Sequence, residues 1–248
     1  MRKVILSEDT KKDILENLLK RSPNSYGKFE ASVAAILADV KEKGDEAVFD
    51  YTKRFDGADI NAANIIVTKE EIDEAYSLVD KQLVEVIRKA LVNIREYHAK
   101  QKQYSWFDST PNGTILGQKV TPLNRVGVYV PGGKAAYPSS VLMNIIPAKV
   151  AGVSQIIMTT PPGKDGRVNP GTLVAANEAG VDVIYKVGGA QAIAAMAYGT
   201  DSIRKVDKIV GPGNIYVALA KKAVYGHVSI DSIAGPSEIL VIADETAN

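Results

Sequence analysis

The chain has 248 residues and weighs 26.6 kDa, room for one large domain or two small ones. Its 30 basic and 29 acidic side chains leave a net charge of +1, without the basic excess of a nucleic-acid binder, and 46% hydrophobic with 24% charged residues is ordinary globular composition. There is no cysteine and there are two histidines, His98 and His227, which excludes disulfides, thiolate catalysis and Cys-ligated metals and leaves no imidazole set for a metal site.

The start of the chain reaches Ser7-Glu8-Asp9 after only Val4-Ile5-Leu6, too short an apolar run for a secretory leader. No uncharged run approaches the ~18–20 apolar residues of a membrane span. A cytoplasmic protein with no membrane and no nucleic-acid partner is expected.

Residues 1–120 hold 39 charged residues, 5 glycines and 2 prolines, whereas residues 121–248 hold 20, 15 and 9. The first half therefore reads as charged helices and the second as buried strands with tight turns. Ser7 caps a first helix with Glu8 and Asp9 in its opening turn and Ile14, Leu15, Leu18 and Leu19 as its apolar stripe. Phe29, Val33, Ile36, Leu37 and Val40 repeat at helical spacing. A strand is predicted over Ile65–Thr68, and Thr68-Lys-Glu-Glu71 is a capping box for a helix carrying Ile72, Ala75, Tyr76 and Val79. Lys69, Glu70 and Glu71 themselves read as a solvated helix start. Leu83, Ile87, Ala90, Leu91, Ile94 and Tyr97 form one face of a longer helix with His98 at its end. Tyr104, Trp106 and Phe107 read as a loop anchor, and Thr114–Val120 as a short strand.

From there strands and helices alternate. Apolar strands are predicted to begin near Val126, Gln155, Asp182, Asp207 and Ile239, at spacings that each fit one strand and one crossover helix. The helices fall at about 138–151, 170–180, 190–199 and 214–225. Near-continuous apolar runs such as Val126–Val130 and Ile239–Ala243 suit strands buried on both faces, so the fold class is α/β with a parallel, doubly wound sheet.

Ligands bind beyond the carboxyl ends of such strands. Those ends carry Tyr129-Val-Pro-Gly-Gly133, Pro161-Pro-Gly-Lys-Asp-Gly166, Val187-Gly-Gly-Ala-Gln191 and Val210-Gly-Pro-Gly-Asn214. Glycines let the backbone approach a ligand, and a following helix offers free N–H groups to phosphate. Turn formation, close helix–sheet packing and N-capping by Asn214 explain the same residues without a ligand. Gln191 is harder to explain so, as the one amide in a small, apolar first turn. No G-x-G-x-x-G follows any strand, and the strand after Gly133 ends in Met158-Thr-Thr-Pro161 with no acidic residue for a ribose hydroxyl, so a bound dinucleotide would sit in a non-standard mode. His98 and His227 read as surface residues.

Arg125-Val-Gly-Val-Tyr-Val-Pro-Gly-Gly133, Val187-Gly-Gly-Ala-Gln-Ala-Ile-Ala-Ala195, Lys205-Val-Asp-Lys-Ile-Val-Gly-Pro-Gly-Asn214 and Ile230-Asp-Ser-Ile-Ala-Gly-Pro-Ser-Glu238 together resemble the histidinol dehydrogenase family. The resemblance implies oxidation of L-histidinol to L-histidine through histidinal with two NAD⁺, by a zinc-dependent homodimer whose Rossmann-like domains are related to the aldehyde dehydrogenase fold. It implies NAD contacts at Tyr129, Gln191 and Asn214 and a substrate contact at Ser237. It divides the chain into a helical arm (1–22), the mostly helical part of a first, incomplete α/β domain (23–122), a Rossmann-like NAD-binding domain (123–238) and the start of a segment returning to the first domain (239–248). The family's signature continues into a Gln-x-Glu-His segment and further acid–base and zinc-binding residues, none of which occur here. The chain is thus expected to be an amino-terminal portion without catalytic or metal residues of its own, inactive alone. A non-catalytic nucleotide-binding or assembly module is the alternative; an aldehyde dehydrogenase-type thiol enzyme fails for want of a cysteine.

Overall fold

The structure is a computed structural model that describes residues 5, 7–19, 27–132, 137–233, 239 and 241–247; the side chains of Leu15, Leu18 and Leu19 lie outside the described residues. Ser7 Oγ accepts the Thr10 N–H (3.3 Å) at the start of α1 (Glu8–Leu19), as the sequence predicts. The next stripe becomes α2 (Gly27–Lys43), which buries Val33, Ile36, Leu37 and Val40. A break at Gly44 starts α3 (Asp45–Asp56). The capping box forms at α4 (Lys69–Leu78): Glu71 N–H donates to Thr68 Oγ1 (3.3 Å) and Thr68 N–H to Glu71 Oε2 (2.8 Å). In α5 (Lys81–Ala99) Val84 and Ile87 are buried, and Leu83 and Tyr97 are exposed.

The predicted strand near 114–120 is β2 (Ile115–Gln118), antiparallel to β1 (Trp106–Ser109). Every residue of this hairpin is exposed, Trp106, Phe107, Ile115 and Leu116 included. Trp106 and Phe107 therefore anchor nothing among the described residues. Their apolar character serves the hairpin's own cross-strand pairing.

The rest is a parallel sheet of β3 (Arg125–Tyr129), β4 (Gln155–Thr159), β5 (Val183–Tyr185), β6 (Lys208–Val210) and β7 (Ser229–Ile230), in the order β5-β4-β3-β6-β7. Its connecting helices are α6 (Pro138–Val150), α7 (Pro170–Ala179), α8 (Gly189–Tyr198) and α9 (Ile215–Val224), close to the predicted bounds. The fold class is α/β, as expected. Period-2 alternation divides the strands between two cores. Val126, Val128, Ile156 and Met158 face α6 and α7, backed by α4 and α5. Tyr129, Ile157 and Ile209 face α8 and α9, backed by α2 and α3. Ile65–Thr68 forms only an isolated antiparallel bridge, Ile66 to Tyr185, at the sheet edge.

One expected strand is corrected. The fifth sheet position is filled by Ser229–Ile230, which pairs with Lys208 and Ile209 directly after α9. With that edge taken, the described residues between Ile239 and Ala243 lie in no strand, and Ile239, Val241 and Ile242 are exposed.

A buried cation fixes the loop after β6. Lys221, 1% exposed on α9, donates to the Gly211 carbonyl (2.9 Å) and to Asp231, whose other oxygen accepts the Gly211 N–H (2.8 Å). Neutralising one partner leaves the other poorly solvated. Lys221→Met should therefore lower unfolding free energy by about 2 kcal/mol, the partial exposure of Asp231 holding the loss below that of a fully buried pair. An unchanged urea midpoint would refute this role for Lys221.

Candidate functional site: the carboxyl edge of the parallel sheet

Strand order reverses at β3, so the crevice between the ends of β3 and β6 is the topological switch point. The two loops touch there. Gly211 has φ +114°, and a Cβ on it would lie 2.1 Å from the Tyr129 carbonyl oxygen, so no larger residue fits.

Tyr129 ends β3 with its ring turned toward α8. Its hydroxyl accepts the Gly189 N–H (3.1 Å), and burial pushes its pKa up to about 12. The phenol is thus a neutral donor at physiological pH. Gln191 stands in the first turn of α8, 1% exposed, and neither its Oε1 nor its Nε2 has a hydrogen-bond partner. An unpaired buried amide costs about 1–3 kcal/mol. The amide folds over Gly189, whose φ of +66° favours glycine; a Cβ there would sit 2.5 Å from Gln191 Oε1 and push the amide aside. Gly188, the N-cap of α8, supplies no side-chain cap. A helix N-terminus whose first N–H alone is taken, by Tyr129, and an unpaired donor–acceptor pair therefore share one place, suited to an anionic ligand with polar groups.

Asn214 does what the ligand-free explanation requires. Its Oδ1 accepts the N–H groups of Tyr216 (3.0 Å) and Val217 (3.2 Å) and caps α9. Its Nδ2 faces no such demand and can donate outward. Tyr129, Gln191 and Asn214 thus all lie at the same sheet edge. Ser237 and Gly133 lie outside the described residues.

Three groups were not anticipated. Asp56, at the end of α3, has a buried Oδ2 without a partner, and desolvation raises its pKa to about 6. In the sequence it is one more acid in a charged helix followed by a glycine. Lys186, buried at the end of β5, donates to Glu71 Oε1 (2.6 Å), so Glu71 holds the sheet edge as well as capping its helix. Lys221 is the third; a lysine in an alternating apolar stretch gave no sign of burial.

A cavity of about 470 Å³ opens beside this region, lined among others by Glu71, Glu74, Gly132, Pro161, Asp165 and Arg167. Arg167 is paired with Glu74 (2.7 Å), so the lining is net acidic and unfavourable for phosphate. Neither Tyr129, Gln191 nor Asn214 lines it.

Zinc does not fit the described residues, which bring no three His, Asp or Glu side chains together. His98 bonds to Gln101 (2.6 Å) and His227 stands near Lys205 (3.4 Å), each on the surface side of its element. No helix among the described residues is long and apolar enough to cross a membrane.

Asp56 also sets a pH dependence. Its folded pKa of about 6 lies above the ordinary 3.8, so the folded state holds the proton more tightly, and stability falls as pH rises from about 4 to about 6. The full shift corresponds to about 3 kcal/mol, which partial exposure reduces to about 1 kcal/mol. Asp56→Asn should therefore stabilise the chain by about 1 kcal/mol at pH 7 and by nothing at pH 4, read from urea midpoints. Equal stability of the two proteins at pH 7 would contradict this.

The family description "Histidinol dehydrogenase" matches residues 19–248. The histidinol dehydrogenase of Heliobacterium mobile is 61% identical over 232 residues, covering 94% of this chain and 54% of the relative. That of Bacillus subtilis (strain 168) is 63% identical over 216 residues, covering 87% of this chain and 50% of the relative. The crystal structure of histidinol dehydrogenase from Elizabethkingia anophelis superposes with a TM-score of 0.82 at 41% identity, covering all of this chain and 53% of that one. The chain spans about half the length of the relatives it matches, and it belongs to the histidinol dehydrogenase family.

Proposed function

We propose that this chain forms the cofactor-binding side of an NAD-linked dehydrogenase that converts L-histidinol to L-histidine through histidinal with two NAD⁺, in a cytoplasmic homodimer. The single observation that carries the cofactor assignment is the unpaired, buried amide of Gln191 in the first turn of α8.

NAD⁺ supplies the hydride acceptor when bound. The chain's own residues bind and orient it. The N–H groups of the first turn of α8, other than that of Gly189 which Tyr129 takes, face its pyrophosphate. Gln191 offers one donor and one acceptor, Tyr129 its hydroxyl proton, and Asn214 its Nδ2. Gly211 and Gly189 keep side chains out of the crevice, so the dinucleotide can approach the backbone. The Lys221–Asp231 pair holds the β6 loop beside Tyr129 before the ligand arrives. This preorganisation reduces the ordering cost of binding.

Ser237 is assigned to the substrate by its place in the family signature. Zinc and the acid–base groups are assigned to the part of the relatives that this chain does not span. The exposed apolar hairpin β1–β2 and the exposed Ile239, Val241 and Ile242 support a division in which residues 23–122 and 239–248 belong to a domain completed by further chain. Residues 1–248 alone would then not turn over histidinol.

Gln191→Leu separates function from packing. Replacing the unpaired amide by a similar apolar volume should stabilise the fold by about 1 kcal/mol and weaken NAD⁺ binding at least about tenfold. A loss of both stability and affinity would mark Gln191 as structural. Incubation of residues 1–248 with histidinol, NAD⁺ and zinc should give no increase in absorbance at the NADH band; sustained NADH formation would overturn the assignment of catalysis to residues outside this chain.

A further inference from the structure

We propose that Asp56 belongs to the same nucleotide site and accepts a hydrogen bond from the 2′-hydroxyl of the dinucleotide's adenosine ribose. This inference rests on the NAD reading of the switch-point crevice and adds to it a residue from outside the sheet domain.

Open α/β sheets that hold dinucleotides use an acidic side chain for the ribose diol. The sheet itself offers none in the usual place, because β4 runs into Thr160, Pro161 and Pro162. The structure brings a carboxylate to that edge from α3. The start of α3 is tied to the far end of α8: Asp45 Oδ2 accepts both the Ser202 N–H (2.9 Å) and the Ser202 hydroxyl (2.6 Å), just beyond Tyr198. The two helices pack against each other. The opposite end of α3 therefore lies toward the start of α8, where Gly189 and Gln191 stand. Three contacts fix that end. Ala58 and Ile60 share a core with Tyr129 and Ala190. A Cβ on Gly57 would lie 3.4 Å from Lys164 Cγ in the loop after β4, and one on Gly166 would lie 3.9 Å from Ile60 Cδ1. The negative charge of Asp56 is close enough to Tyr129 to disfavour ionisation of its phenol.

Asp56 Oδ2 is buried without a partner, Gln191 has both amide atoms unpaired, and the Tyr129 hydroxyl accepts one hydrogen bond while its own proton remains available. Asp45 Oδ1, at the other end of α3, is also buried without a partner, but its Oδ2 is tied to Ser202. Buried polar groups in native proteins are rarely left without a partner, and those of Asp56 and Gln191 point to a ligand that satisfies them. A carboxylate beside a pyrophosphate is repelled by it, so its partner must be a neutral donor. A ribose hydroxyl is the neutral donor a dinucleotide carries next to its phosphates. Asp56 is a binding residue in this proposal, with no part in hydride or proton transfer.

The test is calorimetric titration of the 248-residue chain and its Asp56→Asn variant with NAD⁺ and with NAD⁺ lacking the adenosine 2′-hydroxyl. Thermal unfolding verifies that the variant is folded, which its relief of a desolvated charge favours. The expected result is a loss of at least about tenfold in NAD⁺ affinity for the variant, and no difference between the two proteins for the deoxy analogue. NAD⁺ binding equal in wild type and variant would overturn the role of Asp56 and leave the NAD reading standing. Equal losses for both ligands would overturn the ribose contact in favour of an indirect structural effect. Failure of the wild-type chain to bind NAD⁺ at millimolar concentration would overturn the NAD reading and this inference together.

Discussion

The approach of the Gly211 backbone to the Tyr129 carbonyl is the constraint on which the site depends. Two parallel strands that leave the sheet in opposite directions would ordinarily diverge beyond their ends. Here they are drawn together, because Gly211 carries no side chain and Lys221 with Asp231 grips both its N–H and its carbonyl. Tyr129 is thereby held under the start of α8, where its hydroxyl takes the first N–H of the helix. The Gln191 amide in the same turn is buried beside apolar core residues such as Ala190 and Ile193. Low polarisability around such groups strengthens each contact they make and raises the cost of leaving them unpaired.

The two cores explain why the crevice is rigid. Each face of the sheet is covered twice, by its own crossover helices and then by helices from the amino-terminal half. Asp45 on Ser202, Glu71 on Lys186, and Glu178 on both Tyr76 (2.7 Å) and Arg88 (2.7 Å) tie the two halves together over large sequence separations. Exposed pairs of this kind contribute little to stability individually. The buried end at Lys186 and the half-buried one at Ser202 set where the amino-terminal helices sit.

Much of this was legible in the sequence because it follows local rules. The capping box at Thr68 and Glu71, the N-caps at Ser7 and Asn214, and four of five sheet strands come from residue type and spacing alone. The motif loops at Tyr129, Gln191 and Asn214 could be assigned to one edge because parallel topology leaves no other place for them. What was not legible depends on tertiary competition. The Ile239–Ala243 run has the composition of a buried strand, but Ser229–Ile230 occupies the sheet edge first. Trp106 and Phe107 read as a loop anchor and stand on an exposed hairpin. Asp56, Lys186 and Lys221 are ordinary charged letters in helix or strand context, and only the packing of distant elements removes them from water.

A crystal structure of the chain grown with NAD⁺ tests the central claim most directly. The expected result is a dinucleotide lying across the ends of β3 and β6, its pyrophosphate at the start of α8 and polar groups within hydrogen-bond distance of the Gln191 amide. A dinucleotide seated instead in the acidic cavity lined by Glu71, Glu74 and Asp165, with the Gln191 amide still unpaired, would contradict it.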